Sequence, residues 1–200
     1  SELYVSNKDA LDVIPQLSKF YDEPFADSSQ IPTYLVSKMA RNSVTVALSG
    51  DGGDELFGGY NRYLWSKKIN NIPQILKFFL SKTIDQFGSR NLDNFASFFN
   101  FLYKDISMSS EKAYKISEIL KQNNLSEIYS HLITTNKHSD RLIAKSFINK
   151  DVTQEIISEM MNDHEIDPIQ SMMLADLMTY LPDDIFHKVD RASMAVSLET

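Results

Sequence analysis

SGDGGDELFGG, Ser49 to Gly59, is the stretch on which the fold reading turns. It follows the apolar run Val44-Thr45-Val46-Ala47-Leu48, which is rich in β-branched residues and stops at a glycine loop. That pattern predicts a buried strand feeding a tight loop. The loop sets Gly50, Gly52 and Gly53 beside Asp51, Asp54 and Glu55. Glycines let backbone N–H groups approach an anion or adopt φ > 0. Carboxylates at the end of a parallel strand suit the Mg²⁺ that accompanies phosphates. Asp54 and Glu55 have a plainer reading as well: negative charge at the start of a helix beginning near Leu56, worth ~0.3–1 kcal/mol. The Walker pattern is excluded because no Gly-Lys-Ser/Thr follows, and the dinucleotide fingerprint fails because Glu55 stands where its third glycine belongs.

Working outward, Ser6 or Asn7 is placed to cap a helix through Leu11, Val13, Ile14 and Leu17, with Pro15 disturbing its middle. Pro24 and Pro32 bracket a loop around Asp27-Ser28-Ser29, and a helix over 33–41 leads into the run at Val44. A strand-like run at Leu3-Tyr4-Val5 and the one at 44–48, separated by helices, predict parallel pairing through a right-handed crossover. The middle of the chain reads as helical, with Ile72, Ile75, Leu76, Phe79 and Leu80 at helical spacing. Phe95, Phe98, Phe99 and Phe101 form an aromatic stripe of core character. Lys67 and Lys68 read as a solvated face. Asp167-Pro168 is a helix start, with Asp as N-cap and Pro at the first helical position. The methionine-rich helix that follows suits gap-filling core packing. Pro182 is expected to end it, and Asp183 and Asp184 to begin another.

The chain has 200 residues and a formal net charge of −7, which argues against a broad nucleic-acid surface. It has no cysteine, so disulfides and thiolate zinc sites are excluded. His131, His138, His164 and His187 lack metal-helix spacing. No run has the length and apolarity of a membrane span, and residues 1–20 resemble no signal peptide, so a cytoplasmic protein is expected. The chain starts at Ser1 within a strand-like run and stops at Thr200, so it reads as a fragment of a longer polypeptide.

SGDGGDELFGGYNRY (49–63), TYLPDDIFHKVDRASMAVSLET (179–200) and YDEPFADSSQIPTYLVSKMAR (21–41) resemble signature segments of the glutamine-dependent asparagine synthetase family, in family order. Residues 64–166 carry no such signature. The resemblance implies an α/β fold of the adenine-nucleotide α-hydrolase (PP-loop ATP pyrophosphatase) type, predominantly helical in this portion with few parallel strands. It implies a partial synthetase domain over 1–200. The SGGxDS phosphate loop and the glutaminase cysteine do not occur in the sequence, so the 200 residues alone are expected to be inactive. The implied reaction adenylates a carboxylate, aspartate first, with ATP and Mg²⁺; ammonia from glutamine then displaces AMP. The implied substrates are small molecules; no nucleic acid and no membrane are involved, and a homodimer is compatible with it.

Residue by residue, the resemblance puts Asp54 on Mg²⁺, Ser49 and Gly50 along the nucleotide, and Lys188 near the α-phosphate. Asp51 stands where the family usually has Glu, a carboxylate linked to proton transfer during amide formation; the shorter side chain is a departure. Asp184, Asp190 and Arg191 are read as orienting partners of the Lys188 segment. Plainer roles stay open for each: a helix cap for Asp54, turn formation for Ser49 and Gly50, structure for Asp51, and an Asp184–Lys188 surface pair worth about 0.3 kcal/mol for Lys188. Relatives that amidate another carboxylate (a β-lactam or sugar-acid amide), or a non-catalytic partner subunit, are the alternatives.

Overall fold

A computed structural model describes residues 4, 6–22, 25–87, 110–134, 152–162 and 165–200. They form two compact units, one made of Ser1–Phe57 with Asp176–Thr200 and the other of Gly58–Ala175. Leu3 and Val5 of the proposed strand, Pro24 and the Phe95–Phe101 stripe lie outside the described residues, and Tyr4 between the first two is exposed.

In the first unit, helix α1 (Asn7–Val13) opens on a reciprocal capping box. Ser6 N–H and Oγ donate to Asp9 Oδ2 at 2.9 and 2.6 Å, and Asp9 N–H donates back to Ser6 Oγ at 3.2 Å. Pro15 has the anticipated effect: the helix tightens into a 3₁₀ turn over Ile14–Gln16 before α2 (Leu17–Phe20). Helix α3 (Gln30–Arg41) begins ahead of Pro32, which therefore lies inside the first turn and does not bound the loop. A helix tolerates proline there because that N–H has no intrahelical acceptor. Helix α4 (Gly53–Phe57) is a short turn of helix.

The buried strand expected at 44–48 is not found. Val46 makes a single parallel bridge to Glu199, closed by Glu199 N–H to Thr45 O (3.0 Å) and Ala47 N–H to Glu199 O (2.8 Å). Val44, Val46 and Leu48 are exposed, Leu48 almost completely. The bridge is parallel and its partner is the C-terminal segment, whereas the expected pairing with the run at Leu3 to Val5 falls on residues that are, Tyr4 apart, outside those described. Among the described residues nothing pairs beyond that bridge, and a strand without neighbours has no sheet face to bury.

Pro182 does not end the preceding helix either. Helix α10 (Pro168–Met178) stops before it, and Pro182 sits in the first turn of a π-helical stretch, Leu181–Phe186, that runs into α11 (His187–Met194). Asp183 and Asp184 do lie in that first turn. After α11 the chain reverses through Ser197, whose φ is +59°. Leu198 N–H donates to Ser193 O at 3.0 Å and Ser197 N–H to Met194 O at 3.1 Å, a helix-terminating reversal that carries Glu199 back to Val46. Val13, Tyr34, Leu35 and Ala192 form this unit's core, where α3 packs on α11.

The second unit is helical: α5 (Asn61–Asn70), α6 (Gln74–Phe87), α7 (Ser110–Leu120), α8 (Leu125–Ile133), α9 (Val152–Asn162) and most of α10. One cluster joins Ile69, Ile84, Ile119, Leu120 and Ile128; another joins Tyr63, Tyr129, Ile157, Met172 and Ala175. Asp167 caps α10 as anticipated, its Oδ1 accepting from Ile169 N–H at 2.8 Å. Lys67 reaches Asp167 at 3.0 Å in a solvent-exposed pair. Of the apolar residues spaced over 72–80, Ile72, ahead of α6, and Leu80 pack on the core while Ile75, Leu76 and Phe79 are exposed; Lys77 and Ser81 are buried in their place.

Candidate functional site

The glycine loop and the C-terminal signature meet inside the first unit. Gly52 has φ +85°, a left-handed conformation that L side chains rarely adopt, and a Cβ built on it would lie 3.6 Å from Leu181. Glycine there lets the loop turn from the Val46 bridge into α4. Gly53 N–H donates to Gly50 O at 3.2 Å and Leu56 N–H to Gly52 O at 3.0 Å, which closes the turn. The carboxylates are then sorted by environment. Asp51 and Asp54 face solvent, and Glu55 is fully buried. Asp54 and Glu55 occupy the first turn of a helix that starts at Gly53, before the Leu56 start expected for it.

An open cavity of about 450 Å³ lies beside this loop. Ser49, Asp51 and Lys188 give it polar groups, and Pro32, Val36, Leu48 and Leu198 are among its apolar lining. Three residues singled out in sequence are thus brought to one place. Gly50 and Asp54 are not part of that lining. Among the described residues no three His, Asp or Glu side chains converge in a way that could hold a metal ion.

Lys188 is largely buried and doubly flanked by carboxylates. Its Nζ lies 2.7 Å from Asp27 Oδ2 and 3.8 Å from Asp184 Oδ1. Burial pulls the ammonium's pKa down, but the Asp27 hydrogen bond and the charges of Asp27, Asp184 and Tyr180 outweigh it, and the net shift is upward. Asp27 responds in the opposite sense. Burial pushes it up, yet the hydrogen bonds from Lys188 and from Ser29 Oγ and N–H bring it down to about 2. Asp184 is raised, first by burial and then by the charge of Asp27. Tyr21, only 4% exposed, donates from its hydroxyl to Lys188 O at 3.2 Å. Burial and the nearby Asp27 push that phenol up to about 12.

Asp184 therefore does flank Lys188. Asp190 is exposed, and Arg191 pairs with Asp22 at 2.6 Å. Asp27 is the group that sequence reasoning passed over. The signal available was its place in YDEPFADSSQ, where an acidic residue precedes two serines able to hydrogen-bond it.

The family model described as asparagine synthase matches residues 1–200. The chain is 33% identical over 192 residues to a putative glutamine-hydrolyzing asparagine synthetase 2 of Methanocaldococcus jannaschii, an alignment covering 96% of this chain and 34% of that protein. It is 29% identical over 200 residues to glutamine-hydrolyzing asparagine synthetase 1 of Bacillus subtilis, covering 98% of this chain and 28% of that protein. A putative glutamine-hydrolyzing asparagine synthetase of Mycobacterium tuberculosis is 29% identical over 198 residues, with 98% and 28% covered. The chain thus spans about a third of the length of these relatives. No solved structure matches it. No helix among the described residues is long and apolar enough to cross a membrane.

Proposed function

Because this chain belongs to the asparagine synthase family, we propose that it is part of a ligase that uses ATP to join ammonia to a carboxylate. Aspartate is the proposed carboxylate and glutamine the proposed source of the ammonia; the products are asparagine, AMP and pyrophosphate. A carboxylate oxygen attacks the α-phosphorus, the bond to the β-phosphate oxygen breaks, and pyrophosphate leaves. Ammonia then attacks the acyl carbon, the bond to AMP breaks, and nitrogen gives up a proton.

Lys188 stabilises the negative charge that builds on the α-phosphate oxygens in both steps, in a largely buried setting where a fixed cation counts for more than in water. Ser49 and Gly50 line the nucleotide with small groups that let it approach the backbone. Asp51, an exposed carboxylate on the same cavity, is the proposed acceptor of the ammonium proton. Asp54 is the residue of this chain that would hold Mg²⁺. A single exposed carboxylate fits that ion, which commonly takes one or two carboxylates and completes its shell with water and phosphate oxygens. When bound, the ion neutralises charge on the departing pyrophosphate.

The proposed fold of the whole synthetase domain is α/β of the adenine-nucleotide α-hydrolase type, with the phosphate loop and glutaminase domain in other parts of a longer, cytoplasmic, homodimeric protein. The parallel bridge at Val46 and the uncovered apolar residues around it support this, since parallel strands ordinarily lie within covered sheets.

The observation that carries the functional reading is the single cavity lined by Ser49, Asp51 and Lys188, residues from two separate signature segments. The test is ATP–pyrophosphate exchange in the intact protein, with aspartate compared against other carboxylates and ammonia supplied directly. Exchange that requires aspartate, followed by asparagine formation, is expected. Exchange with a different carboxylate only would replace the substrate, and no exchange with any would remove the enzyme reading.

A further inference from the structure

The ammonium of Lys188 is tied to a segment far from it in sequence. Asp27 Oδ2 accepts from Nζ at 2.7 Å across 161 positions, closer than the helical neighbour Asp184 at 3.8 Å. Asp27 is itself fixed: Ser29 N–H donates to Oδ1 at 2.8 Å and Ser29 Oγ to Oδ2 at 2.6 Å. Tyr21 holds the other end of the same residue through the Lys188 carbonyl, and its ring stacks on Phe25 with centroids 5.0 Å apart. Backbone and head group of one lysine are therefore both gripped by residues 21–29.

A lysine side chain is a flexible stem, and its point charge has no directional geometry of its own. Left alone, it would sample many positions. A carboxylate that takes one of the three ammonium donors leaves two for another anion. We propose that Asp27 is the positioning residue for Lys188, anchoring the ammonium on the wall of the cavity it shares with Ser49 and Asp51 so that its remaining donors meet the substrate phosphate. Ser29 acts behind it by fixing the Asp27 carboxylate. This rests on the reading of Lys188 as the α-phosphate cation. The rival is a plain clamp, in which the Asp27–Lys188 pair only fastens residues 21–29 to α11.

The experiment is a double-mutant cycle in the intact enzyme, with Asp27→Asn, Asp27→Glu, Lys188→Ala and Asp27→Asn/Lys188→Ala assayed by ATP–pyrophosphate exchange and by thermal melting. Misplacing a catalytic group by about 1 Å can cost on the order of 10²-fold. Asp27→Asn is expected to lose on that order in kcat with KM for ATP little changed, and Asp27→Glu to recover a large part, since it keeps the charge. In the Lys188→Ala background Asp27→Asn is expected to cost nothing further in exchange. Wild-type exchange in Asp27→Asn beside an impaired Lys188→Ala would overturn the positioning role and leave the Lys188 reading standing. Losses that add across the cycle and follow the melting temperature would overturn it in favour of the clamp. Wild-type exchange in Lys188→Ala would overturn both. Should Asp27→Asn fail to fold, Ser29→Ala, which loosens the Asp27 carboxylate and keeps both charges of the ion pair, carries the decision: loss of kcat without loss of melting temperature supports positioning, and unchanged kcat overturns it.

Discussion

Asp27 and Asp184 approach the same ammonium from different elements and carry opposite shifts. Asp27 is held down to about 2, while Asp184 is pushed above its ordinary 3.8. The pair of carboxylates has one cation between them, and the nearer one takes the hydrogen bond. Two carboxylates so placed do not ionise with equal ease.

Acid stability should carry this signature. The folded-state pKa of Asp27 lies below its ordinary value, so its contribution is present above 3.8 and lost as pH falls through about 2. The size is about 2 kcal/mol. Asp9, Asp85 and Asp167 are also lowered, by bonds from Ser6, Ser117 and the Ile169 N–H respectively, and add to the same acid limb. Asp27→Asn should flatten that limb when melting temperature is followed against pH; an unchanged limb would show that Asp27 is not paired in solution.

Asp184 has the reverse sign. A raised carboxylate contributes stability that is complete below 3.8 and is lost as pH rises through its folded-state value. At neutral pH it is therefore a destabilising group. Asp184→Asn should raise the melting temperature there, because it removes a carboxylate whose charged form burial and the Asp27 charge disfavour. A drop on calorimetry would mean that the Lys188 contact outweighs burial and the Asp27 charge.

Gly52→Ala should cost about 1–2 kcal/mol, because φ +85° is unfavourable for any residue with a Cβ. Space is not the obstacle, as the nearest Leu181 atom would be at an ordinary 3.6 Å. Denaturant unfolding of the variant measures the cost. Because the turn sets Asp51 and Asp54, catalytic exchange should fall as well.

Asp54→Asn should leave the melting temperature nearly unchanged, since the side chain is exposed and the fold does not depend on it. Pyrophosphate release in the intact protein should fall by on the order of 10²–10³. Normal release at limiting Mg²⁺ would exclude the metal role.

Met172→Ala removes a fully buried side chain from the cluster with Tyr63, Tyr129, Ile157 and Ala175. The expected loss is about 2–5 kcal/mol, read from equilibrium unfolding. A much smaller loss would mean that this methionine-bearing core collapses around the gap.

What the sequence determined by itself is local. The cap at Ser6, the Asp167-Pro168 helix start and the break at Pro15 all join residues within a few positions, where chain geometry alone fixes who meets whom. The glycine loop and the two flanking signatures were legible for the same reason, and they were enough to identify the family. Tertiary structure decided which members of those segments act together. Glu55 is buried while Asp51 and Asp54 beside it are not, because a short helix turns one side inward. On α6, Lys77 and Ser81 face the interior and Phe79 does not, although the apolar spacing pointed the other way. Val44, Val46 and Leu48 had a strand's composition but, among the described residues, only Glu199 to pair with, and burial of a strand depends on neighbours its own residues do not specify. Lys188 was visible as a cation; its partner Asp27, 161 positions away, became visible only when the chain folded Tyr21 and Asp27 against Lys188, because contact at that separation is a property of packing and not of spacing.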